Sequence, residues 1–478
     1  MKQLLLAVLL VAVTATVHSQ KVQLTKKLDS LIDAYEKERN FSGVVMVSQK
    51  GKLLYARTAG YADKEKKILN QLNTNFNIAS TGKTFTAVMI MQLVQEGRLS
   101  LADTLSRILP DYWFKNGNLI TVRHLLTHTS GINNYMMHPQ FESKLSTLKS
   151  LSDVMPLVED MPLTMEKPGA RFDYSNSGFI ILGRIIEKRT GKDYLTNLNE
   201  RIFKKTGISN SYIHYPATFN APAEAVPYLV FSGKSFKNGV ADEFPGFSDG
   251  GMQSNARDLT RFGNGLLSGK LLGKEVRDQL WTGVADAGRG GKYALGWIEN
   301  ENPYGKKIVS HDGGGKGFST DFKIVVEDEY VIVVLINNRL NPREISNNIL
   351  KVIYTGQFDR PQKPFENVVF EQIEEKGWEP VKTEFTSLLA KHGMQSVPNV
   401  WVYIRLMEML ADAGKSEISF SLLEMASKDF PKSSGPFNVA AQISLAKGNK
   451  SDAKKYYEKA LSINPDDWFA KNGLKGMD

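Results

Sequence analysis

The sequence predicts a mixed domain of the α/β or α+β class followed by an all-helical domain. Residues 22–40 have the apolar spacing of a helix, and residues 42–63 continue as two strand-like runs joined at Lys50–Gly51. Residues 322–338 predict two further adjacent strands, whereas residues from 385 onward have a helical pattern that repeats. Because 478 residues are too many for one ordinary core, we expect at least two domains.

The segments of the first domain carry clear periodicities. The first helix places apolar residues at helical spacing, namely Leu24, Leu28, Leu31, Ile32 and Tyr35. Residues 83–96 are apolar on most sides, which predicts a buried helix, and residues 178–190 predict another helix that ends at Gly191. Residues 331–336 follow a turn at Glu327–Glu329 and are rich in β-branched side chains, which suits the centre of a sheet.

The C-terminal part of the chain has an internal repeat. Residues 356–384 contain three of the 18 prolines and little periodicity, which predicts a linker before a domain of residues 385–478. Three pairs of residues then recur 34 positions apart: Gly414 and Gly448, Ala426 and Ala460, Pro431 and Pro465. This period resembles the tetratricopeptide repeat, whose units stack to bury their apolar faces and hold protein segments. A plain helical appendage is the alternative.

The first residues predict export. Residues 1–19 join Lys2 to an apolar run over residues 4–13, and cleavage before Gln20 fits a secretory signal. An uncleaved anchor is the alternative, although the run is short for a membrane span. The chain has no cysteine, so it can form neither disulfides nor a lipoprotein anchor. We therefore expect a periplasmic or secreted protein with no membrane span after cleavage.

The chain is basic, with a formal net charge of +9. The lysines and arginines are spread along the chain without a long block, so a solvated basic surface explains them better than a nucleic-acid partner. Approach to anionic envelope polymers is a hypothesis that the charge allows.

A serine and a lysine three residues apart open the predicted buried helix. Ser80 and Lys83 would share one face of the helix start, where unpaired N–H groups favour an oxyanion and a lysine can accept a hydroxyl proton. The same spacing recurs at Ser146, Ser444 and Ser451. Ser80 differs from these because it begins an apolar helix.

Two further clusters carry candidate chemistry. Tyr174, Ser175 and Asn176 precede the second helix, where nearby cations can adapt a tyrosine for proton transfer. His311 and Asp312 lead into Gly313 and Gly314, and a glycine run after a strand lets the backbone approach a ligand closely. Taken singly, these clusters are equally typical of packing residues and of a hairpin turn.

The order of the three elements resembles the serine β-lactamase and penicillin-binding protein family. Its S-x-x-K, Y-x-N and (K/H)-(T/S)-G signatures match Ser80/Lys83, Tyr174/Asn176 and His311/Gly313, and residues 120–132 and 250–262 are also similar to family segments. The resemblance covers about residues 25–350, within a predicted domain of residues 22–355, and is nearest to the class C β-lactamase-related branch. It implies an antiparallel sheet flanked by helices, with a helical lobe between about residues 90 and 200.

The resemblance also implies roles. Ser80 would be the acylated nucleophile, Lys83 and Tyr174 would share acid and base work, and Asn176 would orient both the substrate amide and Lys83. Backbone N–H groups of Ser80 and Gly314 would form the oxyanion hole. His311 would replace the lysine of true class C β-lactamases. The substrate would be a D-amino-acid peptide, a small ester or a β-lactam, with no cofactor and no metal.

Asp312 departs from the family pattern, which has threonine or serine there. An acid at this position would repel the substrate carboxylate that the usual hydroxyl helps to hold. This residue argues against recognition of β-lactam and D-Ala-D-Ala carboxylates.

Other kinds of site would need other residue patterns. His124 and His128 have the spacing of a helical zinc pair, but no third ligand is evident, so packing and capping roles are expected. An α/β-hydrolase is not expected, although residues 246–250 have the G-x-S-x-G spacing of its nucleophile elbow, and the sequence has no Walker phosphate loop. A catalytically idle domain that binds peptidoglycan fragments, with the repeats recruiting a partner, remains the alternative function.

Overall fold

The computed structural model describes residues 22–213, 224–231, 234–237, 245–288, 291–300, 303–315, 317–338, 340–465, 467–475 and 477. The predicted signal, residues 1–19, lies outside them. The described chain forms two compact units. The first holds residues up to 229 and from 237 to 360, and the second holds those within 230–236 and from 361 onward.

The strands of the first unit are β1 Gly43–Gln49, β2 Lys52–Ala59, β3 Tyr61–Asp63, β4 Ile68–Leu69, β5 Phe76–Asn77, β6 Tyr212–Ile213, β9 Met252–Ser254, β10 Ala285–Asp286, β11 Gly291–Tyr293, β12 Ile298–Asn300, β13 Ile308–Gly315, β14 Phe318–Val325 and β15 Tyr330–Ile336. A short hairpin pairs β7 Tyr228–Phe231 with β8 Lys234–Lys237. Among the described residues, eight strands form the main sheet in the order β10-β11-β12-β13-β14-β15-β1-β2, with every neighbouring pair antiparallel. The predicted fold class is confirmed.

The helices of the first unit are α1 (residues 22–39), α2 Lys83–Gln95, α3 Leu105–Ile108, α4 Val122–Leu126, α5 Phe141–Lys144, α6 Leu151–Glu159, α7 Asn176–Thr190, α8 Tyr194–Leu198, α9 Lys204–Thr206, α10 Ala256–Leu267, α11 Lys274–Leu280 and α12 Pro342–Thr355. The three helices predicted from periodicity are present, and Gly191 ends α7 in the left-handed conformation, as a C-terminal glycine does. Helices α3 to α9 occupy the predicted helical lobe.

Strand β15 lies inside the sheet and is buried on both faces. Val331, Val333 and Leu335 join the core that contains α2, α7 and α10, whereas Ile332 and Val334 join a second core with α1 and α12. Successive side chains of a strand point to opposite faces, so a continuous apolar run suits a sheet covered by helices on both sides. The prediction of a central strand over residues 331–336 is confirmed.

The second unit contains α13 Phe365–Lys376, α14 Trp378–Lys391, α15 Val400–Asp412, α16 Ser416–Asp429, α17 Gly435–Ala446, α18 Lys450–Ile463 and α19 Trp468–Lys475. Gly414 and Gly448 lie in equivalent turns, after α15 and α17, with φ of 76° and 77°. Ala426 and Ala460 are fully buried in α16 and α18. The 34-residue period therefore corresponds to two successive helical hairpins.

Most of the predicted linker, residues 356–384, is helical. Helix α13 and the start of α14 lie in this range, and Val369 and Ile373 are buried in the core of the second unit. The prolines misled the prediction. Pro364 stands immediately before α13 and Pro380 is in the first turn of α14, where the missing N–H would have no partner anyway.

Within the described part of the chain, no helix is both long and apolar enough to cross a membrane.

Candidate active site

Ser80 lies on a tight turn between a short strand and the buried helix. The turn is a 3₁₀ helix over Ala79–Gly82 that continues directly into α2, so Ser80 precedes the α-helix instead of opening it. Asn77 accepts a hydrogen bond from the N–H of Ala79 at 2.9 Å, and Ala79 has a φ of +45°, which is unusual for a residue with a side chain. The backbone therefore presents the hydroxyl from a constrained turn.

A second loop lies beside this turn because two strands pair. Strand β5 pairs with β9, and the N–H of Ile78 donates to the carbonyl of Met252 at 2.9 Å. This pairing brings Asp249 and Gly250 against Ala79. A Cβ on Gly250 would lie 2.6 Å from the carbonyl oxygen of Ala79, so the close approach requires glycine.

Lys83 is fully buried and bonds three groups. Its Nζ lies 3.1 Å from Ser80 Oγ, 2.7 Å from Asn176 Oδ1 and 2.5 Å from the main-chain carbonyl of Asp249. The two carbonyl-type oxygens can only accept, so they take two N–H bonds of the amine. Toward Ser80 the amine can either donate or, when neutral, accept the hydroxyl proton, so Lys83 is arranged to remove a proton from Ser80.

Tyr174 lies at the edge of this cluster and is 38% exposed. Lys83 Nζ lies 5.0 Å from the centre of its ring, which also packs against the His128 ring with centroids 4.1 Å apart and planes tilted by 34°. The described residues give its hydroxyl no hydrogen-bond partner. The structure therefore brings the Tyr174 ring to the predicted site and leaves its hydroxyl available in the cleft, as is common before a substrate binds.

Two buried histidines form a directed hydrogen-bond chain through a tyrosine. His128 Nδ1 accepts from the N–H of Ser175 at 3.1 Å, so a neutral His128 carries its proton on Nε2, 3.0 Å from the Tyr293 hydroxyl. Tyr293 then donates to His311 Nε2 at 2.9 Å. His311 Nδ1–H donates to the carbonyl of Asp312 at 2.7 Å. These tautomers follow from the network and satisfy every ring nitrogen with both imidazoles neutral.

The surroundings keep the three side chains of this hydrogen-bond chain uncharged. Burial lowers the pKa of His311 to about 4 and that of His128 well below its ordinary value, while burial raises the pKa of Tyr293 well above its ordinary value. Both ring nitrogens of His311 are engaged inside the protein, and the residue is 3% exposed. Both ring nitrogens of His311 are thus occupied by protein partners, although the residue also lines the cleft beside Ser80.

Gly313 and Gly314, which follow His311 and Asp312, have different surroundings. A Cβ on Gly313 would lie 2.1 Å from the carbonyl oxygen of Ile78, so this glycine lets β13 pack against the residues before Ser80. A Cβ on Gly314 would meet no atom within 4 Å, so Gly314 borders open space. The described residues of β12 pair with β13 only as far as Ser310, which leaves the edge of β13 beyond that point facing the cleft.

Asp312, the departure from the family pattern, has a partner that the sequence did not reveal. Its carboxylate forms an ion pair with Arg343, near the start of α12. Burial alone would raise the pKa of Asp312, but the neighbouring His311 and the Arg343 guanidinium lower it below its ordinary value. The acid is therefore ionised and neutralised by a cation of the same unit.

A second carboxylate at the site was not singled out from the sequence. Asp249 is 3% exposed, and its Oδ2 accepts from the Tyr135 hydroxyl at 3.1 Å. Burial raises the pKa of Asp249 to about 6. Its signal is an acid immediately before the twin glycines of residues 250–251, one position ahead of the segment that resembles the family.

Two cavities open on either side of Ser80 and share Ser80 and Gly314 in their linings. Cavity A, of about 200 Å³, is lined by Asn77, Ala79, Ser80, Met136, Asn176, Asp249, Gly250, Gly251, Gly314, Gly315 and Phe318. Cavity B, of about 290 Å³, is lined by Ser80, Phe172, Tyr174, Ala287, Tyr293, Ile298, His311, Asp312 and Gly314. One nucleophile thus faces two differently lined spaces.

The histidine pair once considered for zinc has other roles. His124 Nδ1 accepts from the N–H of Thr121 at 3.1 Å and caps α4, and both ring nitrogens of His128 belong to the chain described above. The capping and packing roles expected for these residues match their contacts.

Comparison with known proteins agrees with this geometry. A model of the beta-lactamase family matches residues 28–354. Penicillin-binding protein 4* of Bacillus subtilis is 28% identical over 360 residues, which cover 71% of this chain and 78% of that protein. A teichoic acid D-alanine hydrolase of Staphylococcus aureus is 25% identical over 325 residues, covering 67% and 77% respectively.

A solved structure is similar over the same region. The penicillin-binding protein from Bacillus halodurans superposes with a TM-score of 0.61 at 26% identity, over 67% of this chain and 98% of that one. The family match spans well over half of the chain and contains the Ser80, Tyr174 and His311 motifs. The chain therefore belongs to the beta-lactamase family and is a serine hydrolase of the beta-lactamase and penicillin-binding protein type.

Proposed function

We propose that the protein hydrolyses an amide or ester through an acyl-enzyme on Ser80. The observation that carries this proposal is the position of Lys83, whose buried amine contacts Ser80 Oγ while Asn176 and a main-chain carbonyl orient it. A positioned amine beside a hydroxyl is the arrangement that activates a serine nucleophile.

The reaction follows from these positions. Ser80 Oγ bonds to the substrate carbonyl carbon as its proton passes to Lys83, and the N–H groups of Ser80 and Gly314 stabilise the oxyanion. The bond to the leaving group breaks as Tyr174 gives that group a proton, which Lys83 replaces. Water then attacks the acyl-enzyme with the same groups acting in reverse and releases the acid and Ser80.

The substrate class that we propose is a small amide or ester, with D-amino-acid derivatives preferred over β-lactams. One relative is named as a teichoic acid D-alanine hydrolase, which supports a D-alanyl acyl group. Asp249 in cavity A has no ion-pair partner among the described residues, so it argues against acyl groups that carry a carboxylate there.

Mass spectrometry of the folded protein tests this proposal. Wild type, Ser80→Ala and the control Ser146→Ala are each treated with a fluorophosphonate, a penicillin and p-nitrophenyl acetate. Ser146 has the same S-x-x-K spacing but lies exposed on a different turn. An adduct on Ser80 in wild type and in the control supports an acyl-transfer enzyme. No adduct with any reagent would overturn it and favour a binding domain on an enzyme fold.

Two further parts of the function are proposals about location and partners. Export rests on the signal-like residues 1–19, and a signal-specific cleavage before Gln20 in the mature protein would test it. The tetratricopeptide assignment is supported by the paired helices α15–α16 and α17–α18 and by their equivalent turns at Gly414 and Gly448. Such hairpins hold extended protein segments, so we propose a protein partner for the second unit.

A further inference from the structure

The two carboxylates beside Ser80 differ in whether the protein neutralises them. Asp312 in cavity B is ion-paired with Arg343. Asp249 in cavity A has no basic side chain within ion-pairing distance among the described residues, and Lys83 contacts its main-chain carbonyl instead of its carboxylate. Within the described part of the chain, the neutral hydroxyl of Tyr135 is the one side-chain donor to the Asp249 carboxylate.

A buried carboxylate without a cation is costly to a folded protein. Taking the charge out of water is repaid only when a positive charge and further hydrogen bonds replace the water. Asp249 is almost entirely buried, yet it lines a cavity that opens on the nucleophile. Lys83 lowers the pKa of Asp249 but contacts only its main-chain carbonyl, so a cation in direct contact with the carboxylate can arrive with the substrate.

The position of Tyr174 decides which part of the substrate meets Asp249. The general acid must reach the leaving group, and Tyr174 lines cavity B, so the leaving group lies in cavity B. The acyl part then extends into cavity A, past Asn176 and toward Asp249. Met136 and Phe318 give this cavity apolar walls for a small side chain.

We propose that Asp249 binds a free ammonium group on the acyl part of the substrate, so that the enzyme prefers unblocked α-aminoacyl amides or esters. This inference rests on the proposed function and names its substrate class. The ammonium supplies the charge that Asp249 lacks, and a blocked or deaminated acyl group leaves the carboxylate unpaired.

The test compares acyl groups that differ in the amino group. Wild type is assayed with D- and L-alanine p-nitroanilide, propionic acid p-nitroanilide and N-acetylalanine p-nitroanilide. An α-amino group activates the carbonyl even without an enzyme. The decisive quantity is therefore the factor by which the variant changes kcat/KM for each substrate. We expect Asp249→Asn to lower kcat/KM for the better alanine anilide by about 10- to 100-fold and for the propionyl anilide by less than about threefold.

The control removes the other carboxylate. Asp312→Asn is expected to change kcat/KM for both substrates by a similar factor, because cavity B holds the leaving group that they share. A measurement on wild type alone guards against a poorly folded variant. We expect 1-aminoethylboronic acid to inhibit at least about tenfold more strongly than ethylboronic acid.

The outcomes separate the inference from the proposed function. Equal loss on both substrates in Asp249→Asn, or equal inhibition by the two boronic acids, would overturn the ammonium site while Ser80 labelling still stands. Absence of any Ser80 adduct would instead overturn the proposed function and the inference with it.

Discussion

Cavities A and B place two carboxylates beside one serine, and the protein treats the two acids in opposite ways. In cavity B, Arg343 pairs with Asp312 and helps to lower its pKa. In cavity A, Asp249 receives a hydrogen bond from Tyr135, and burial raises its pKa to about 6. Burial disfavours the charge of both acids, so the difference is made by the neighbouring groups: His311 and Arg343 lower the pKa of Asp312 below its ordinary value, whereas Lys83 offsets only part of the effect of burial on the pKa of Asp249.

This contrast separates a structural charge from a functional one. A paired acid is neutralised whether or not a substrate is present. Its removal destabilises the protein mainly because the partner cation loses its counter-charge. An unpaired acid that lines a reactive cleft costs stability until something positive binds. Five experiments sharpen or break this comparison.

The largest effect is expected at the group that both cavities share. Ser80→Ala removes the nucleophile, so kcat/KM should fall by at least about 10⁴-fold for every substrate. Steady-state kinetics with p-nitrophenyl acetate and alanine p-nitroanilide measure this effect. Retained turnover of either substrate would mean that the two cavities do not serve one nucleophile.

Tyr293→Phe should strongly destabilise the wall of cavity B. The change leaves two buried ring nitrogens, one on His128 and one on His311, without their partner, at a cost of about 3–4 kcal/mol. Urea unfolding measures this free energy. Tyr55→Phe is the control, since it removes a buried hydroxyl with a single hydrogen bond, to Asp29, away from the site. A similar small loss of unfolding free energy in both variants would contradict the hydrogen-bond chain through Tyr293.

Acid pH should change the stability of the protein in opposite directions through His311 and through Asp249. The folded-state pKa of His311 is about 4, below its ordinary value of 6.5. Between pH 4 and 6.5 the unfolded chain therefore binds more protons than the folded one. Stability should therefore fall by up to about 3 kcal/mol as the pH drops from 6.5 to 4. The raised pKa of Asp249 acts in the opposite direction, so the fall should be steeper in Asp249→Asn. Unfolding at several pH values measures it, and a flat profile in that variant would refute the assignment.

Arg343→Met should turn Asp312 into an unpaired acid like Asp249. We expect a loss of about 1–2 kcal/mol, because the pair is only partly shielded from water. The double variant Arg343→Met/Asp312→Asn should recover part of this loss. Thermal unfolding of the single and double variants completes the cycle. Additive effects would show that the pair does not act as a unit.

Asp249→Asn should stabilise the protein slightly at pH 8. The ionised acid is penalised by burial once the pH exceeds its folded-state pKa of about 6, and asparagine removes this penalty, for a gain of about 1 kcal/mol. At pH 4 the acid is already protonated in the folded state, so the gain should vanish. Thermal unfolding at the two pH values measures the difference, and destabilisation at pH 8 would mean that Asp249 is neutralised after all.

The sequence predicted most of the catalytic centre and missed its supporting residues. Ser80, Lys83 and Asn176 were predicted from motifs, and hydrogen bonds join them in the structure. Tyr293 and Arg343 carried no local signal, because an isolated tyrosine or arginine means nothing without its neighbours. The prolines of residues 356–384 suggested a linker, yet a proline in a first helical turn is compatible with a helix.

The sequence by itself determined the Ser80–Lys83 pair, because an apolar helix follows this one of several S-x-x-K matches. It also determined the doubly buried strand β15 and the 34-residue repeat, because periodicity along the chain sets which side chains share a face. Only the tertiary structure decided that Asp249 lies beside Ser80. That neighbourhood depends on the pairing of β5 with β9, whose residues are far apart in the sequence. The tertiary structure also decided that Arg343 neutralises Asp312, whereas Asp249 has no ion-pair partner among the described residues. The charge balance of a buried site depends on which distant segments the fold brings together.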